Sequence, residues 1–342
     1  MQKGYNIKVY NLAGTFQAVL SPSIIMTGVS FSETINGGQG ELVLKLKLPF
    51  NTTSIAYNNV IKVFESDAEN APRQIYTGIV GNIRRVNENS SEYIEIRVLG
   101  IASALSLFYY YSGAYAFNAS ASQDTTMKAI IDYFSTKYPG LLSYSGTSVE
   151  AGSSVNLAFS YDKCLDALKK TADTSPEWWW SIDNTGVLQY HPITGSIYAT
   201  THKVKVGVEV DQVTVEENGE KIVNKYMLKY NGGTYTQTDA TSTTDNGLRE
   251  LYSDESSSIN NVGTATIKGD AYISANKNSK RKITIEINSK YDIESVRVGH
   301  FITVQNLEYS ISNLQIRKLD YNMDRIKVEL EESTSLAKEI FT

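Results

Sequence analysis

The sequence has little cysteine, histidine or proline and no long apolar run, and these shortages exclude several classes of protein. Its single cysteine, Cys164, rules out an internal disulfide and any cysteine-rich zinc site. No stretch reaches the ~18 to 20 consecutive apolar residues of a membrane-spanning helix. Met1–Leu20 also lacks the apolar core of a secretory signal. We therefore expect a protein made in a reducing cytoplasm, with no stable membrane insertion.

Neither sign of charge is in large excess, which argues against nucleic acid as a specific ligand. The 32 Lys and Arg residues against 37 Asp and Glu leave a net charge of −5 at pH 7, whereas phosphate binding favours a basic surface. Hydrophobic residues make up 41% of the chain, which is enough to build buried cores. Because its 342 residues exceed the usual domain length of about 100 to 200 residues, we predict at least two packed units.

The motifs of common enzymes are also missing. There is no Gly-x-Ser-x-Gly, no His-Glu-x-x-His and no phosphate-binding Gly-x-x-x-x-Gly-Lys. His191, His202 and His300 lack a recognisable catalytic setting, and we assign them ordinary surface or strand-end roles. Asp292 and Glu294 are predicted to be solvated. We therefore predict a protein that is not an enzyme, with no catalytic, cofactor-binding or metal-binding residue and no cofactor, and we assign no ligand-binding residue.

One partial motif has the ligand order of a calcium-binding loop. Asp320, Asn322 and Asp324 alternate, and Glu331 occupies the twelfth position. Arg325 stands where the sharp bend of such a loop needs glycine, and it adds positive charge beside the ion. Because alternating apolar residues follow Arg325, we favour a hairpin turn that leads into a strand.

Apolar and polar residues alternate along much of the chain, which is the period of a strand with one solvent-facing side. The predicted inward faces are Leu42, Leu44, Leu46 and Leu48; Ile94, Ile96 and Val98; Val204, Val206, Val208 and Val210; and Ile283, Ile285 and Ile287. Turn-forming clusters at 36–40, 184–186 and 320–324 predict antiparallel hairpins. The glycine-rich segment 37–40 lacks lysine and leads into a strand, so we interpret it as a turn rather than an anion-binding loop.

Helical periodicity is clear only in the middle of the chain. We predict helices over Asp124–Tyr138 and Asp162–Asp173, each with its first residue as the cap and each followed by proline. Their predicted inward side chains are Met127, Ile130, Ile131 and Phe134 in the first helix, and Leu165 and Leu168 in the second. A weaker helical pattern covers Thr264–Lys277, and a short turn is predicted at Thr334–Ile340.

These patterns predict a mainly β fold with an α+β insertion. Residues 1–104 and 201–342 are predicted to form two β-barrel-like domains, and residues 105–200 a small helix-containing α/β insertion domain. A polar excursion is predicted around residues 231–277. Within it, Asn231–Asn261 is rich in Thr, Ser, Asp and Asn, and we interpret it as a long excursion or mobile loop.

Aromatic residues are unusually rich in tyrosine, with 23 Tyr against 10 Phe. Two clusters, Phe108–Tyr111 and Trp178–Trp180, combine large contact areas with polar atoms, which suits interfaces and sugar-binding platforms. Core packing is the more common use of such residues. We favour packing for Trp178–Trp180 and keep an exposed aromatic contact as the alternative.

Several segments, taken in order, resemble the hub proteins of phage tails and related injection machines, a two-barrel family at the centre of the baseplate. Val155–Asp173 followed by Trp178–Tyr190 is similar to that family's strand, capped helix, aromatic strand and Asp-x-x-Gly hairpin. Tyr291–Val304 is similar to the segment that leads into its last barrel. Tyr76–Val80 and Tyr93–Gly100 fit strands of its first barrel. The resemblance spans nearly the whole chain.

This resemblance implies a homotrimer whose six barrels form a pseudo-sixfold ring. Such a ring adapts a hexameric tail tube, or a distal tail protein, to a central spike or fibre with threefold symmetry. The resemblance also implies a location in the virion, at the tail tip or baseplate, after synthesis in the host cytoplasm, and a part in tail assembly and host attachment. Relatives with enzymatic activity carry C-terminal extensions, and we expect none after Leu330.

Two interpretations of function stay open at this point. The first is a structural tail hub, and the second is a carbohydrate-binding tail adhesin whose Tyr and Trp residues stack on sugars. A hub should form trimers or rings, whereas an adhesin should bind glycans as an isolated chain and lose that binding on Trp178→Ala or Trp180→Ala. A glycosidase is a poorer third interpretation, because it needs two carboxylates at a fixed separation.

Overall fold

The computed structural model describes residues 4–20, 23, 25, 28–48, 55–66, 72–88, 91–193, 201–305 and 310–332. Over these ranges the protein is mostly β-strand with small helical parts, which confirms the predicted fold class. The short turn predicted at Thr334–Ile340 lies outside the described residues.

The N-terminal part contributes eight strands. They are β1 (Gly4–Tyr10), β2 (Phe16–Leu20), β3 (Ser30–Thr34), β4 (Gly38–Gln39), β5 (Leu42–Lys47), β6 (Val60–Ser66), β7 (Arg73–Glu88) and β8 (Ser91–Gly100). Six of them form an antiparallel sheet in the order β2-β1-β6-β7-β8-β5. Leu42, Leu44 and Leu46 are buried on one face of β5, as their alternation predicts.

The middle of the chain forms a small α/β unit. A 3-10 helix (Ile101–Leu107) leads into β9 (Ala116–Ser122), α1 (Gln123–Ser135), β10 (Ser154–Ser160), α2 (Cys164–Ala172), β11 (Trp178–Ile182) and β12 (Leu188–Pro192). The four predicted inward residues of α1 are all buried, and β11 and β12 form the predicted hairpin. Lys163, not Asp162, occupies the N-cap position of α2, and its side chain makes no capping hydrogen bond. The Asp162 carboxylate instead accepts hydrogen bonds from the Ser160 amide and the Lys170 ammonium. Leu168 is buried and Leu165 is half-buried.

Within the described ranges, the C-terminal part contains nine strands, two α-helices and a short 3-10 helix at Ile293–Ser295. The strands and α-helices are β13 (Thr201–Lys205), β14 (Val210–Asn218), β15 (Lys225–Tyr230), β16 (Gly233–Thr238), α3 (Ala240–Asn246), β17 (Glu250–Asp254), α4 (Val262–Asn276), β18 (Lys280–Asn288), β19 (Phe301–Gln305), β20 (Ser310–Asn322) and β21 (Arg325–Glu332). Six of these strands lie in the second large sheet, which has eight strands, in the order β13-β19-β20-β21-β18-β14. No helix in the described ranges is long and apolar enough to cross a lipid bilayer.

The alternating valines at 204–210 do not form one continuous strand as predicted. Gly207 adopts a φ of +82°, a left-handed conformation that favours glycine, and it separates β13 from β14. A bridge between Val206 and Val210 joins the ends of these two strands. β13 and β14 are the two end strands of the second sheet, and this turn connects them.

Strand β3 lies early in the chain but belongs to the second sheet. It pairs with β20 in antiparallel register, and β4 pairs with β3. One hydrophobic cluster includes buried side chains from both large sheets, such as Ile7 and Leu44 from the first and Ile285 and Leu330 from the second. Residues 30–39 therefore belong to the second sheet although they lie in the N-terminal part of the chain. The domain boundaries at residues 104 and 200 stay predictions.

The polar segment Asn231–Asn261 is not a mobile loop, which corrects the sequence interpretation. It contains β16, α3 and β17, and these two strands flank β15 in a three-stranded sheet. Tyr226 and Leu228 of β15 and Ile273 of α4 are buried in a second hydrophobic cluster, which they share with the middle unit. The weak prediction of a helix at Thr264–Lys277 is confirmed by α4. A few large apolar residues outside the polar run therefore order this segment.

Candidate functional site

The tight turn between β3 and β4 is the point where three parts of the chain meet. The Asn36 amide donates a hydrogen bond to the Trp180 carbonyl oxygen, and the Asn36 side-chain oxygen accepts one from the Trp180 amide at 3.1 Å. Gly38 has a φ of +90°, and a Cβ there would lie 2.7 Å from the Ile182 carbonyl oxygen. The glycine-rich segment is therefore a turn, as predicted, whose glycines permit close contact with the β11–β12 hairpin.

Gln39 connects the same turn to the first sheet. Its side-chain amide donates to the Ile75 carbonyl oxygen at 2.7 Å, and its side-chain oxygen accepts from the Thr77 amide at 2.8 Å. A buried glutamine with both ends bonded fixes the position of its strand, because leaving either group unpaired costs about 1 to 3 kcal/mol. The turn thus joins the first sheet, the second sheet and the middle unit.

Beside this turn lies a polar cavity of about 190 Å³. Its lining includes Glu33 from β3, Ser181 and Gln189 from the hairpin, and Arg297 and His300 from the segment before β19. Among the described residues, Glu33 Oε2 and Ser181 Oγ are buried without a hydrogen-bond partner. Burial raises the pKa of Glu33 to about 7, although the Arg297 charge acts in the opposite direction.

The tryptophan cluster packs into this junction rather than facing solvent. Trp179 and Trp180 are buried, and the half-buried Trp178 stacks on Tyr190 with ring centroids 4.7 Å apart. A Cβ at Gly299 would lie only 2.4 Å from the Trp179 ring, so the hairpin directly contacts the segment that precedes β19. The packing interpretation favoured from the sequence therefore agrees with the structure for Trp179 and Trp180, while Trp178 is half-buried.

Two of the three histidines form a pair that the sequence does not reveal. His202 Nε2 lies 3.0 Å from His300 Nδ1, and His202 Nδ1 lies 3.1 Å from the Tyr291 hydroxyl. Burial lowers the pKa of both rings, and that of His300 falls to about 3 with added repulsion from His202 and Arg297. Both rings are therefore neutral at pH 7.

The third histidine is a buried structural residue of β12. His191 Nδ1 lies 2.9 Å from Glu150 Oε1, and its ring lies 5.3 Å from that of Trp179. Burial lowers the pKa of His191 despite the nearby Glu150. The contacts of the three histidines suit packing and hydrogen bonding.

The acidic residues 292 and 294 connect the two large sheets, and one of them is not solvated as predicted. Glu294 is buried and accepts a hydrogen bond from the Tyr321 hydroxyl at 3.0 Å, while the Tyr5 hydroxyl lies 2.7 Å from that of Tyr321. Burial raises the pKa of Tyr5 to about 12. Asp292 forms a two-bond ion pair with Arg73 of β7. Tertiary contact between β1 and β20, which local sequence does not encode, accounts for the buried carboxylate.

The residues of the partial calcium motif lie on a hairpin, as favoured from the sequence. Asn322 faces Arg325 across the turn between β20 and β21, and Asp320 pairs with Lys318 at 3.0 Å. Glu331 lies farther along β21, where it pairs with Arg317 at 2.7 Å. Within the part of the chain that the structure describes, no group of three or more His, Cys, Asp or Glu side chains is placed to hold a metal ion.

Four exposed tyrosines form a surface on the middle unit, which we call the tyrosine surface: Tyr109, Tyr111, Tyr115 and Tyr161. The ring centroids of Tyr111 and Tyr115 are 5.0 Å apart, and those of Tyr115 and Tyr161 are 5.9 Å apart. Lys163 places its ammonium 3.8 Å from the Tyr109 ring centroid. Alternation after the 3-10 helix accounts for the exposure of Tyr109 and Tyr111, because the intervening Tyr110 is buried.

A larger cleft of about 230 Å³ separates α2 from the segment around α4. Its charged lining consists of three lysines and three acids: Asp166, Lys169, Lys170, Asp173, Glu255 and Lys268. Lys268 and Glu255 already form an ion pair at 2.9 Å. The balanced charge gives this cleft no clear preference for a ligand of either sign.

Comparison with solved structures finds this architecture in other proteins. The 43 kDa tail protein of prophage MuSo2 from Shewanella oneidensis has a TM-score of 0.66 and 12% identity, covering 96% of this chain and 99% of that chain. The tail protein from Neisseria meningitidis MC58 has a TM-score of 0.64 and 12% identity, covering 96% and 97%. A type VI secretion system component from E. coli, described as structurally similar to the T4 bacteriophage tail proteins gp27 and gp5, has a TM-score of 0.53 and 8% identity, covering 96% and 74%.

At these identities the likeness is one of fold. The resemblance drawn from sequence motifs is confirmed at that level, over nearly the whole chain. No protein-family model and no curated protein sequence matches the chain.

Proposed function

We propose that this protein is a structural hub of a phage-type tail tip or baseplate, and that it assembles as a homotrimeric ring. The fold that it shares with two tail proteins, along nearly the full length of each chain, supports this proposal. The ring would adapt a hexameric tail tube or a distal tail protein on one side to a spike or fibre with threefold symmetry on the other.

The observation that carries the proposal is the presence of two large sheets on one shared core. Because β3 from the N-terminal part pairs with β20, the two sheets have a fixed relation within one chain. Three copies of such a chain present six sheet units around a threefold axis, and a closed ring of this kind also covers strand edges that would otherwise be open. This geometry suits contact with a sixfold tube.

The proposed location is the virion, at the tail tip, after synthesis in the host cytoplasm. The proposed partners are other tail proteins and further copies of the chain, with a part in host attachment through the complete tail. A non-enzymatic role fits the histidine and carboxylate contacts described above, which all join parts of the fold. Neither specific nucleic-acid binding nor stable membrane insertion is part of this proposal.

The oligomeric state of the purified protein tests the proposal. We expect native mass measurement to give three times the 37.9 kDa chain mass, alone or with tail tube protein, and cryo-EM class averages to show a ring with pseudo-sixfold symmetry. A protein that stays monomeric at all concentrations and with the tube protein would contradict the proposal. Turnover of a cell-wall polymer that a single Asp or Glu substitution abolishes would contradict the non-enzymatic role.

A carbohydrate-binding tail adhesin is the second candidate, and the tyrosine surface favours it. Exposed tyrosine rings can stack on sugar rings while their hydroxyls form hydrogen bonds. If this function is correct, the isolated chain binds host glycans, and both Tyr109→Ala and Tyr115→Ala weaken that binding. Tyr57→Ala is the control, because Tyr57 is also an exposed tyrosine and lies outside this surface. Trp180→Ala is no longer an informative test, since Trp180 is buried.

A further inference from the structure

The cavity beside Glu33 contains an unusual combination of buried polar groups at the junction of three parts of the chain. Glu33 Oε2 and Ser181 Oγ both lack a hydrogen-bond partner among the described residues, and they line the same cavity from opposite units. We infer that this cavity is a proton-controlled joint, in which ionisation of Glu33 loosens the contact between the β11–β12 hairpin and the second sheet.

The groups that face Glu33 come from three directions. On its own sheet, β3 lies between β4 and β20, where the register partners Gln39 and Leu319 carry no charge. From the segment before β19, Arg297 and His300 line the cavity, and from the hairpin, Asp183 does so. The Arg297 charge favours the carboxylate, the Asp183 charge opposes it, and His300 is neutral because its pKa falls to about 3.

Desolvation is the largest of these effects. It raises the pKa of Glu33 to about 7, so the side chain gains or loses its proton in the neutral range. The protonated acid is compatible with a dry cavity. The carboxylate instead needs a further hydrogen-bond donor at Oε2, which entering water or a movement of a lining side chain, such as half-buried Arg297 or the unpartnered Ser181 hydroxyl on the hairpin, would supply.

Either change acts on the contact between Trp179 and Gly299. The Trp179 ring forms part of the cavity wall, and its contact with Gly299 leaves no room for even one added carbon atom. Because cores repack in discrete steps rather than by continuous deformation, opening the cavity shifts this ring away from the second sheet.

Tryptophan emission is a direct probe of this joint, because all three tryptophans lie in β11. We expect the wild-type emission maximum to shift to longer wavelength as the pH rises from 5 to 9, with a midpoint near 7. Glu33→Gln, which keeps a neutral side chain at every pH, should remove this transition. A wild-type spectrum that does not change over this range, or a transition that persists in folded Glu33→Gln, would overturn the inference.

Two further variants separate Glu33 from its neighbours. His191→Gln removes the imidazole ring that lies 5.3 Å from the Trp179 ring, and this variant should keep the transition. A transition that this variant abolishes would instead come from quenching by protonated His191 and would count against Glu33. Arg297→Gln removes the positive charge that favours the carboxylate and should move the midpoint to higher pH. The pH midpoint of tryptophan emission in Arg297→Gln is a test even if Glu33→Gln does not fold. A midpoint that stays unchanged or falls would count against the inference that Glu33 controls this cavity.

Discussion

Gly299 shows how one residue sets the distance between the hairpin and the second sheet. Its φ of +82° and its contact with Trp179 both require a residue without a Cβ. We predict that Gly299→Ala lowers the free energy of unfolding by roughly 2 to 4 kcal/mol, combining backbone strain with overpacking. Urea denaturation followed by circular dichroism measures this change.

Gly113→Ala is the matched control for that substitution. Gly113 has a similar φ of +77°, but nothing lies within 4 Å of where its Cβ would be. Gly113→Ala should therefore lower the free energy of unfolding only through backbone strain, by roughly 1 to 2 kcal/mol. Equal losses in the two variants would show that the contact with Trp179 does not limit packing at Gly299.

The buried acid Glu33 makes stability depend on pH. Its pKa is raised from 4.5 to about 7 in the folded protein, so the folded state holds a proton that the unfolded state has lost between these values. The contribution of protonated Glu33 to the free energy of unfolding is therefore fully present below about pH 4.5, and it is lost as the pH rises to 7. We predict that Glu33→Gln is more stable than the wild type by about 3 kcal/mol at pH 8, with most of this gain absent at pH 5.

Denaturation at these two pH values measures that difference. Glu216→Gln, an exposed change on β14, should leave the pH dependence of stability unaltered. The prediction is wrong if the wild type and Glu33→Gln lose stability in parallel between pH 5 and pH 8.

At the scale of elements, β3 carries the connection between the two large sheets. Phe31 stacks on Tyr321 of β20 with centroids 4.9 Å apart and lies 5.0 Å from the Tyr76 ring of β7. We predict that Phe31→Ala destabilises the protein by about 3 to 5 kcal/mol, because it removes a large ring from the shared core. Phe16→Ala, at an exposed position of β2, should cost about 1 kcal/mol or less. Thermal melts that show similar losses for the two variants would contradict this role of β3.

Elements with local signals could be predicted from the sequence, and those set by distant contacts could not. The helix α1 was predictable because its buried residues recur at helical spacing, and β5 because its leucines alternate. The pairing of β3 with β20 joins residues almost 300 positions apart in the register of Phe31 with Tyr321, and no local pattern encodes such a partner. The same limit applies to the candidate site, because Glu33, Ser181 and Arg297 meet only through tertiary structure.

The prediction of a loop for the polar segment around β16 and α3 was wrong for a different reason. Its own residues are mostly exposed, so hydrophobic patterning indicates a loop. Order comes from β15 between the two added strands and from α4, which packs on the sheet through Ala265 and Ile273. Polar strands can therefore be stable at the edge of a sheet whose central strand is buried.

At the scale of the whole molecule, the two hydrophobic clusters predict two cooperative units that differ from the order of the chain. One unit combines both large sheets, and the other combines the middle unit with β15 and α4. Since hydrogen exchange reports local stability in such units, Phe31→Ala should raise amide exchange in β1 and β18 together while leaving α1 protected. Phe134→Ala, which removes a fully buried ring of α1, should raise exchange in α1 and β15 together while leaving β18 protected. Mass spectrometry of deuterium uptake measures both patterns, and a response of β18 without β1, or of α1 without β15, would show that the molecule divides along its chain order instead.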